Sequence, residues 1–387
     1  MIKNAGPLQA GGRLRFTIID DPLATLTLWQ DFEHKAQGTI YQSVDWLIPW
    51  LQTHGRESGI DPFLVLAYLP DGELGALFPF GLSHSSGLRL VSFLGGADSN
   101  ANMGLIRSDL VLERSDLQHM IDFCAASRLR PDAFVLVNQS LHWQGRTNPM
   151  ALLAHQQSAS AAFSTPLSLH GEAFIKDKLS HQHFKKLKKK ERKLHSLGSV
   201  TYLVAQTQDQ VSEAIESLFA QKLARLSQKH IATHLTHQTA KDFVNQCCLT
   251  GLDLGQPVIE LHILKLNARI IAIFAGSVYQ NGFYAMLNSF DMHPEMAKLS
   301  PGEVLLVEMI KGLSARGITK LDLGSGEARY KSDWCKSADP RFDSLIGVTL
   351  KGRLFVALLI LKLHLKRWIK QTPLAWKIAQ VMRQYSA

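Results

Sequence analysis

Cysteine is scarce in this sequence. Four cysteines occur among 387 residues, Cys124, Cys247, Cys248 and Cys335, and none forms a CxxC pair. A disulfide framework of the kind that stabilises small secreted domains is therefore excluded. The first sixteen residues contain no apolar core of a secretory signal, so a cytoplasmic protein is expected. The longest apolar stretch, residues 354–361, is far shorter than the ~18 residues that a membrane-spanning helix needs.

Charged residues are also few, at 19% of the chain against 46% hydrophobic residues. This composition excludes extended disorder and predicts a sizeable buried core. The net charge is +9, and residues 185–193 (KKLKKKERK), with seven basic residues and one acidic residue, supply two thirds of it. Because the remaining charge is nearly balanced, the sequence argues against a general nucleic-acid-binding surface.

The second half of the chain shows the clearest periodicity. Alternating apolar residues between Val258 and Asp291 predict three antiparallel strands, with turns at Asn267-Ala268 and Asn281-Gly282. Apolar residues recur with helical spacing in residues 303–317. A strand (ITKLDLG), a polar helix (EARYKSDWC) and a last strand (SLIGVTLKG) follow.

The first half repeats this order of strands, helix and strand more loosely, which indicates a duplicated domain. A stretch rich in Ser, Ala and Gln, residues 155–166, has the composition of a linker. We therefore expect an N-terminal domain over residues 13–160, a C-terminal domain over residues 167–350 and an amphipathic helical tail over residues 351–387.

Ser300, Pro301, Gly302 and Glu303 open the predicted helix after the third strand. Such a start leaves backbone N–H groups free, and with the positive end of the helix dipole they form an anion site suited to a pyrophosphate. Lys298, just before, would add positive charge. The alternative is that Ser300 caps the helix and Pro301 begins it, with no ligand bound.

Residues 322–334 (DLGSGEARYKSDW) form a second polar segment, at the end of the following strand. Polar side chains at a strand end are held by a rigid element, and a sheet often opens there, so this segment is also a candidate site. The alternative is a glycine turn followed by a solvated helix.

The order of these elements resembles a known family. The hairpin, the helix headed by Ser-Pro-Gly and the pattern D-x-G-x-G-E-x-x-Y-K-x-x-W look like the acetyltransferases associated with bacterial cellulose and exopolysaccharide synthesis (CelD-like), within the GNAT superfamily. The tandem arrangement is similar to that of FemAB-type aminoacyl and acyl transferases, which pair two GNAT folds. The resemblance implies an α/β fold of two tandem GNAT-like domains, each a mixed, mainly antiparallel sheet flanked by helices, with the first domain degenerate.

The resemblance also implies roles for particular residues. An acyl-CoA would bind at the splayed centre of the second sheet, with its pyrophosphate on the backbone at residues 300–303. Tyr330 would protonate the departing thiolate, and Glu327 or Asp322 would accept a proton from the attacking amine or hydroxyl.

Lys331 and Trp334 are expected to bind substrate, and Lys331 would alternatively steady the catalytic carboxylate. No metal is expected: His230, His234 and His237 have helical spacing but no accompanying carboxylate or cysteine. The usual GNAT phosphate loop carries Q/R-x-x-G-x-G/A, whereas this chain offers only Gly302, so an aminoacyl-tRNA donor remains an alternative.

The expected function is an acyl-CoA-dependent N- or O-acyltransferase, acetyl being the simplest acyl group, acting on a sugar or cell-envelope precursor such as one for exopolysaccharide. Direct transfer is favoured because no cysteine or serine has a recognisable nucleophile setting. One alternative is aminoacyl transfer from tRNA. Another is a non-catalytic protein that binds a carrier in envelope polysaccharide assembly.

Two basic segments suggest partners. Residues 185–193 would contact a polyanionic carrier, an anionic membrane surface or, in the alternative function, tRNA, unless they are only a solvated helix face. Residues 355–370 combine an apolar face with Lys362, Lys366, Arg367 and Lys370, as interfacial helices do. The alternative is a helix packed on the second domain. These features predict a cytoplasmic protein, peripheral to the inner membrane if either segment binds lipid.

Overall fold

The computed structural model describes residues 13–167, 171–228, 233–326, 328–336 and 338–372. These residues form two compact units. The first contains the described residues up to Ser160 and those from Pro340 onward, and the second runs from Ala161 to Asp339. Each unit has a sheet and a hydrophobic core of its own.

The first unit begins with ten strands and three helices. They are β1 (Arg15–Ile19), α1 (Leu26–Glu33), β2 (Ala36–Gln37), α2 (Val44–Trp50), β3 (Asp61–Tyr68), β4 (Leu74–Ser85), β5 (Leu88–Phe93), β6 (Leu105–Arg107), α3 (Arg114–Ala126), β7 (Ala133–Ser140), β8 (His142–Trp143), β9 (Arg146–Thr147) and β10 (His155–Gln157).

The second unit contains β11 (Ala162–Pro166), α4 (Gly171–Lys178), α5 (His181–His195), β12 (Val200–Val204), α6 (Gln208–Gln228), α7 (Gln238–Leu249), β13 (Glu260–Leu266), β14 (Arg269–Tyr279), β15 (Gly282–Phe290), α8 (Pro294–Ala297), α9 (Pro301–Ala315), β16 (Lys320–Ser325), α10 (Arg329–Trp334) and β17 (Ala338–Asp339). The chain then returns to the first unit with β18 (Arg341–Gly347) and α11 (Leu350–Gln371). Single-turn helices lie at Pro22–Thr25, Ile40–Gln42, Leu51–Gly55, Pro149–Leu152, His234–Thr236 and Leu252–Leu254.

Both sheets are mixed and mainly antiparallel, which confirms the expected fold class. The first has the order β1-β3-β4-β5-β7-β18-β10, with β2 and β6 attached beside β4, and β5 and β7 run parallel. The second has the order β12-β13-β14-β15-β16-β11-β17, with β15 and β16 parallel. The same arrangement of hairpins followed by a parallel pair therefore occurs in both units.

Helix α9 anchors the core of the second unit. Its apolar residues recur every three or four positions, and this spacing gives one continuous face. That face is buried, with Leu305, Met309, Ile310 and Leu313 all inaccessible to solvent. Because the face is fixed in the core, the start of α9 is held in one position relative to β14 and β15.

The last strand pairs in the first unit, whereas the sequence analysis assigned it to a domain ending at residue 350. β18 pairs antiparallel with β7 and with β10, and Phe342 and Leu345 are buried in cores of the first unit. The apolar pattern of residues 344–352 predicts a strand, but a strand pattern carries no information about which sheet supplies its partner.

Two further expectations differ from the structure in the same region. The stretch expected to be a linker contains β10 and β11, one strand in each sheet, and Ala162 and Thr165 are buried. The helical tail α11 packs on β18 and β7 of the first unit, whereas the alternative in the sequence analysis was packing on the second domain. The stretch rich in small and polar residues is therefore where the chain passes from the first unit to the second, but it is not unstructured.

The predicted hairpins are present, with one shift in a turn. Tyr279 pairs with Gly282, so the turn residues are Gln280 and Asn281, both with positive φ, and Gly282 is the first residue of β15. Two central residues with positive φ form the type I′ turn that suits the twist of a hairpin. Among the described residues, no helix is both long enough and apolar enough to cross a membrane.

A buried polar network joins the end of α9 to the second sheet. The Arg316 guanidinium donates two hydrogen bonds to the Glu260 carboxylate, at 2.8 and 2.7 Å. The imidazole of His262 lies 3.3 Å from the same carboxylate, and its Nδ1 is 2.8 Å from the Tyr202 hydroxyl. Burial alone would raise the pKa of Glu260, but the hydrogen bonds from Arg316 and His262 outweigh it and hold the pKa at about 2.

This network generates a prediction for stability. We expect Glu260→Gln to lower the free energy of unfolding at pH 7 by about 2 kcal/mol, because it leaves the Arg316 charge without its partner. A pKa held below its unfolded value stabilises the fold above that value, 4.5, and this contribution is lost as the pH falls toward 2. The difference from wild type should therefore shrink below about pH 4.5.

Urea unfolding of both proteins between pH 7 and pH 3 measures this difference. Glu295→Gln is the matched control, since Glu295 is exposed and pairs with exposed Lys298; its effect should stay within about 0.5 kcal/mol. Equal effects of the two substitutions would show that the Glu260 network contributes no special stability.

Candidate functional site

The second sheet opens where its parallel strands separate. β15 and β16 are paired from Gly282 to Tyr284 on one strand and from Lys320 to Asp322 on the other, and their registered pairing ends there. Farther along β15, the Asn288 side chain donates a hydrogen bond of 3.1 Å to the Tyr330 hydroxyl on α10. The expected splayed centre of the second sheet is therefore present in the structure.

A cavity of about 690 Å³ lies at this opening. Its walls come from α5, α6, the C-terminal part of β15, the start of α9 and α10, and it falls within the size range of small-molecule sites. The lining residues are Ser180, Gln182, His183, Lys186, Leu187, Lys190, Arg225, Phe274, Asn288, Ser289, Phe290, Ala297, Ser300, Gly302, Glu303, Leu306, Tyr330 and Asp333.

The start of α9 forms one wall in an uncommon conformation. Ser300 has φ 50° and ψ 54°, the left-handed region that residues with a Cβ rarely adopt. Its carbonyl accepts hydrogen bonds from the N–H groups of Glu303 and Val304, at 2.9 and 3.2 Å. Gly302 lies in the first turn, where an N–H has no acceptor within the helix. Gly302 lines the cavity, so its N–H is a candidate donor to an anion bound there.

Helix α5 adds two positive charges to the same wall. Lys186 and Lys190 are four residues apart, so they lie on one face of the helix, and both line the cavity. The Lys190 ammonium donates a hydrogen bond of 2.7 Å to the Ser300 hydroxyl. Leu187 and Leu194 are buried and hold the helix against the core. The sequence marked the basic run, but only the structure distinguishes the two lysines that face the cavity.

His183 and Glu303 form a pair that the sequence analysis missed. The His183 Nε2 is hydrogen-bonded to the Glu303 Oε1, and both residues line the cavity. Glu303 was expected to help bind a pyrophosphate. Its N–H instead donates to the Ser300 carbonyl, and its negatively charged side chain pairs with His183. The available signal was a histidine one helical turn before Leu187, but nothing in the sequence identified Glu303 as its partner.

Tyr330 reaches the cavity as expected. Its ring packs edge-on against Phe274, with centroids 6.5 Å apart, and its hydroxyl accepts the hydrogen bond from Asn288. Burial raises the pKa of Tyr330 to about 12, although the bond from Asn288 opposes the rise. The hydroxyl therefore keeps its proton at neutral pH and is available to donate it.

Two cations lie near the residues that contact this tyrosine. The Arg225 guanidinium lies over the Phe290 ring, 5.1 Å from its centroid, and borders the cavity. The Lys222 ammonium donates a hydrogen bond of 3.2 Å to the Asn288 carbonyl. Burial, together with the positive charges of Arg225 and Lys331, lowers the pKa of Lys222 to about 8. The electrostatic environment therefore favours an anionic ligand.

Several predicted residues lie away from the cavity. Asp322 is buried on β16, where its carboxylate accepts a 2.7 Å hydrogen bond from the Gly324 N–H. Lys331 donates to the carbonyls of Gly324 and Ser325, at 3.1 and 2.8 Å. Burial lowers the pKa of Lys331 to about 8, although the Asp322 carboxylate opposes this shift. Both residues thus bind backbone groups at the C-terminal end of β16.

Trp334 is fully buried and stacks on Phe174, with ring centroids 6.4 Å apart. The structure therefore places it in the core and not at the cavity, because the indole lies on the inward face of α10. Lys298 is exposed and pairs with Glu295 at 2.7 Å, outside the cavity lining. Pro301 is buried as the first residue of α9. Glu327, a predicted base, lies outside the described residues.

No metal site occurs in the part of the chain that the structure describes: no group of three or more His, Cys, Asp or Glu side chains could hold an ion there. His230 lies outside the described residues. Cys247 and Cys248 are buried, as their apolar context predicts, and burial raises the pKa of Cys248 above its ordinary value. These thiols therefore do not form a reactive centre.

Comparison with known proteins shows what the part of the chain around this cavity resembles. Residues 181–332 match a family described as acetyltransferase (GNAT) domain. These residues include α5, α9 and Tyr330, and so most of the cavity wall. No curated protein matches the sequence significantly.

Solved structures extend the similarity of fold over both units. FemX has a TM-score of 0.55 at 10% identity, with 85% of this chain and 97% of FemX covered. A conserved protein of unknown function from Bacteroides thetaiotaomicron has a TM-score of 0.53 at 14% identity, covering 85% and 99% of the two chains. L-PGS from Bacillus licheniformis has a TM-score of 0.51 at 12% identity, with 94% of this chain and 99% of L-PGS covered. Residues 181–332 thus resemble a GNAT acetyltransferase domain, and the fold of the chain is similar to that of FemX over most of both chains.

Proposed function

We propose that the second unit is an acyltransferase that takes its acyl group, acetyl in the simplest case, from coenzyme A. The observation that carries the proposal is the composition of one cavity. An N–H at a helix start, two lysines, a protonated tyrosine and a histidine–carboxylate pair all line it. An acyl-CoA needs each of these groups: a site for its pyrophosphate, a proton donor for its thiolate and a base for the acceptor.

The donor would bind with its pyrophosphate at the Gly302 N–H and the ammonium groups of Lys186 and Lys190. Gly302 suits this close approach because it has no side chain to separate the backbone from the phosphates. The left-handed Ser300 turns the chain sharply into α9, and Lys190 holds its hydroxyl. These contacts support coenzyme A as donor even though the loop lacks the usual glycine pattern of GNAT enzymes.

In the proposed reaction, the acceptor amine or hydroxyl attacks the thioester carbonyl, and the carbon–sulfur bond breaks as the new bond forms. His183 accepts the acceptor's proton, and Glu303 stabilises the imidazolium that results. Tyr330 donates its proton to the departing thiolate. His183 is a better-supported base than Asp322, because it lines the cavity and Asp322 does not; Glu327 stays a prediction.

The acceptor class rests on the resemblance to CelD-like acetyltransferases. We propose a sugar or cell-envelope precursor, such as one for exopolysaccharide, modified in the cytoplasm or at the inner membrane. Lys185, Lys189 and Lys193 are exposed and do not line the cavity. They would contact a polyanionic carrier of that precursor. The same exposed lysines favour aminoacyl-tRNA as the second candidate donor, since tRNA is itself a polyanion.

Coenzyme A should stabilise the protein, and Gly302→Asp should abolish the effect. A ligand at 100 times its dissociation constant adds roughly 2.7 kcal/mol to stability, whereas an aspartate would repel the phosphates. Gly302→Ala is the uncharged control: its Cβ would meet Phe290 side-chain atoms at 3.6 to 3.9 Å, an ordinary contact, so the fold should be kept and the coenzyme A effect should fall less than in Gly302→Asp. The melting temperatures of the wild type and the variants, with and without millimolar coenzyme A, measure these effects. An unchanged melting temperature of the wild type would exclude coenzyme A as the donor.

The two cavity lysines should matter more than their exposed neighbours. We expect Lys186→Gln with Lys190→Gln to weaken coenzyme A binding about tenfold or more, since charge-assisted hydrogen bonds are worth about 1.5–3 kcal/mol. Lys189→Gln with Lys193→Gln removes the same charge from outside the cavity and should change binding less than about threefold. Calorimetric titration measures both affinities. Equal losses would indicate a general effect of charge and not a phosphate site.

Loss of the proton donor or the base should slow turnover while donor binding is kept. General acid or base catalysis contributes typically 10²- to 10⁴-fold, so we expect losses of that order for Tyr330→Phe and for His183→Gln. His181→Gln, on the exposed surface of the same helix, is the control and should retain activity.

Thiol release from acetyl-CoA with amino sugars and sugar nucleotides measures turnover. Losses below about tenfold for both variants would place the chemistry elsewhere. A protein that consumes aminoacyl-tRNA but no acyl-CoA would establish the second candidate, and one that consumes neither but binds the carrier would be a binding protein.

A further inference from the structure

Helix α11 of the first unit presents a row of large apolar side chains to solvent. The residues are Leu350, Leu354, Leu358, Leu361, Leu365 and Trp368, each between 55% and 84% exposed. Their spacing of three or four residues places them along one side of the helix over five turns. Single exposed leucines are ordinary on protein surfaces, but a continuous row of six marks an interaction surface.

The opposite side of α11 packs against the sheet of the first unit. Val356 is buried against Ala133 and Leu345, and Phe355, Leu359, Ile360 and Leu363 pack around the same cluster. The exposed row is therefore not the face that attaches the helix to its own sheet. The helix therefore has two apolar faces. One packs on the sheet of the first unit, and the described residues do not cover the other.

The charges around this row have a single sign. From Ser344 to Ala387 the sequence contains eight lysines or arginines and no aspartate or glutamate. Arg353 and Lys362 are exposed. At 100° per residue, they flank the apolar row on its two sides. An apolar strip bordered by cations is the pattern of a helix that lies in a membrane interface.

Charge complementarity also selects between possible occupants. A second copy of the chain would bring two helices of equal positive charge together, and like charges oppose such an interface. Anionic lipids instead supply the opposite charge to Arg353 and Lys362 and an apolar layer for the leucines. Basic residues near such a surface are attracted to it, and salt screens this attraction.

We propose that α11 binds the surface of an anionic lipid bilayer. The leucine row and Trp368 would enter the boundary between headgroups and acyl chains, and the flanking cations would contact lipid phosphates. This inference does not depend on the proposed transferase activity, since the helix belongs to the first unit and the cavity to the second.

Sedimentation with vesicles tests this proposal on the full chain. One set contains equimolar phosphatidylglycerol and phosphatidylcholine, and the other contains phosphatidylcholine alone. The variant carries Leu354→Gln, Leu358→Gln, Leu361→Gln and Leu365→Gln, which keep helix propensity on exposed positions. The matched control carries Leu23→Gln, Leu152→Gln, Leu197→Gln and Leu254→Gln, four leucines of similar exposure elsewhere.

We expect wild type and control to bind the anionic vesicles, with weaker binding to phosphatidylcholine alone and at high salt. The α11 variant should lose at least about tenfold in partitioning, because it removes four apolar side chains from the interface. Lipids with brominated acyl chains should quench tryptophan fluorescence in wild type and less in Trp368→Phe.

Several results would overturn the proposal. The first is that the wild type does not bind anionic vesicles. The second is that the α11 variant and the control lose vesicle binding equally. The third is that Trp368→Phe is quenched as strongly as the wild type. A wild type that is dimeric and a variant that is monomeric, with neither binding vesicles, would assign the row to self-association instead. A coenzyme A titration of the same variant should be unchanged, so failure here is distinguishable from failure of the transferase proposal.

Discussion

The parallel pairing of β15 with β16 ends at Tyr284 and Asp322, and the candidate site depends on that early ending. A parallel ladder that continued would fill the space now occupied by the cavity with backbone. Because it stops, the Asn288 carbonyl accepts from Lys222 and the Asn288 side chain reaches Tyr330. One strand thereby positions groups from α6 and α10. The rigid core face of α9 then fixes the helix start on the other side of the same opening.

The cavity combines positive charge with groups whose charge is already compensated. Lys186, Lys190 and Arg225 border it, and among the described residues its wall also contains the carboxylates of Glu303 and Asp333. Glu303 is held by His183, so its charge is directed to the imidazole and away from an incoming anion. This arrangement lets one site attract phosphates and still contain a proton acceptor. The two properties would conflict if the carboxylate faced the ligand alone.

Turns and helix starts could be predicted from the sequence, whereas contacts between residues far apart in the chain could not. The Ser-Pro-Gly start of α9, the hairpins and the helix that carries Tyr330 follow from turn preferences and periodicity, which act over a few residues. The role of Tyr330 came from the family resemblance. The pairing of His183 with Glu303 joins residues 120 positions apart. Trp334 and Lys331 looked functional because they share a polar segment with Tyr330. Only the direction of α10 decides which side chain faces the cavity and which face the core.

The return of the chain to the first unit has a consequence for its synthesis. Asp343 accepts a hydrogen bond from the Asn138 backbone across 205 residues of sequence. While the ribosome makes the second unit, β7 therefore has an open edge where β18 will later pair. An unpaired strand edge is a template for pairing with other chains. The second unit can close its own sheet first, since β11 to β17 precede β18, and the half of the protein that is made first is the half that is completed last.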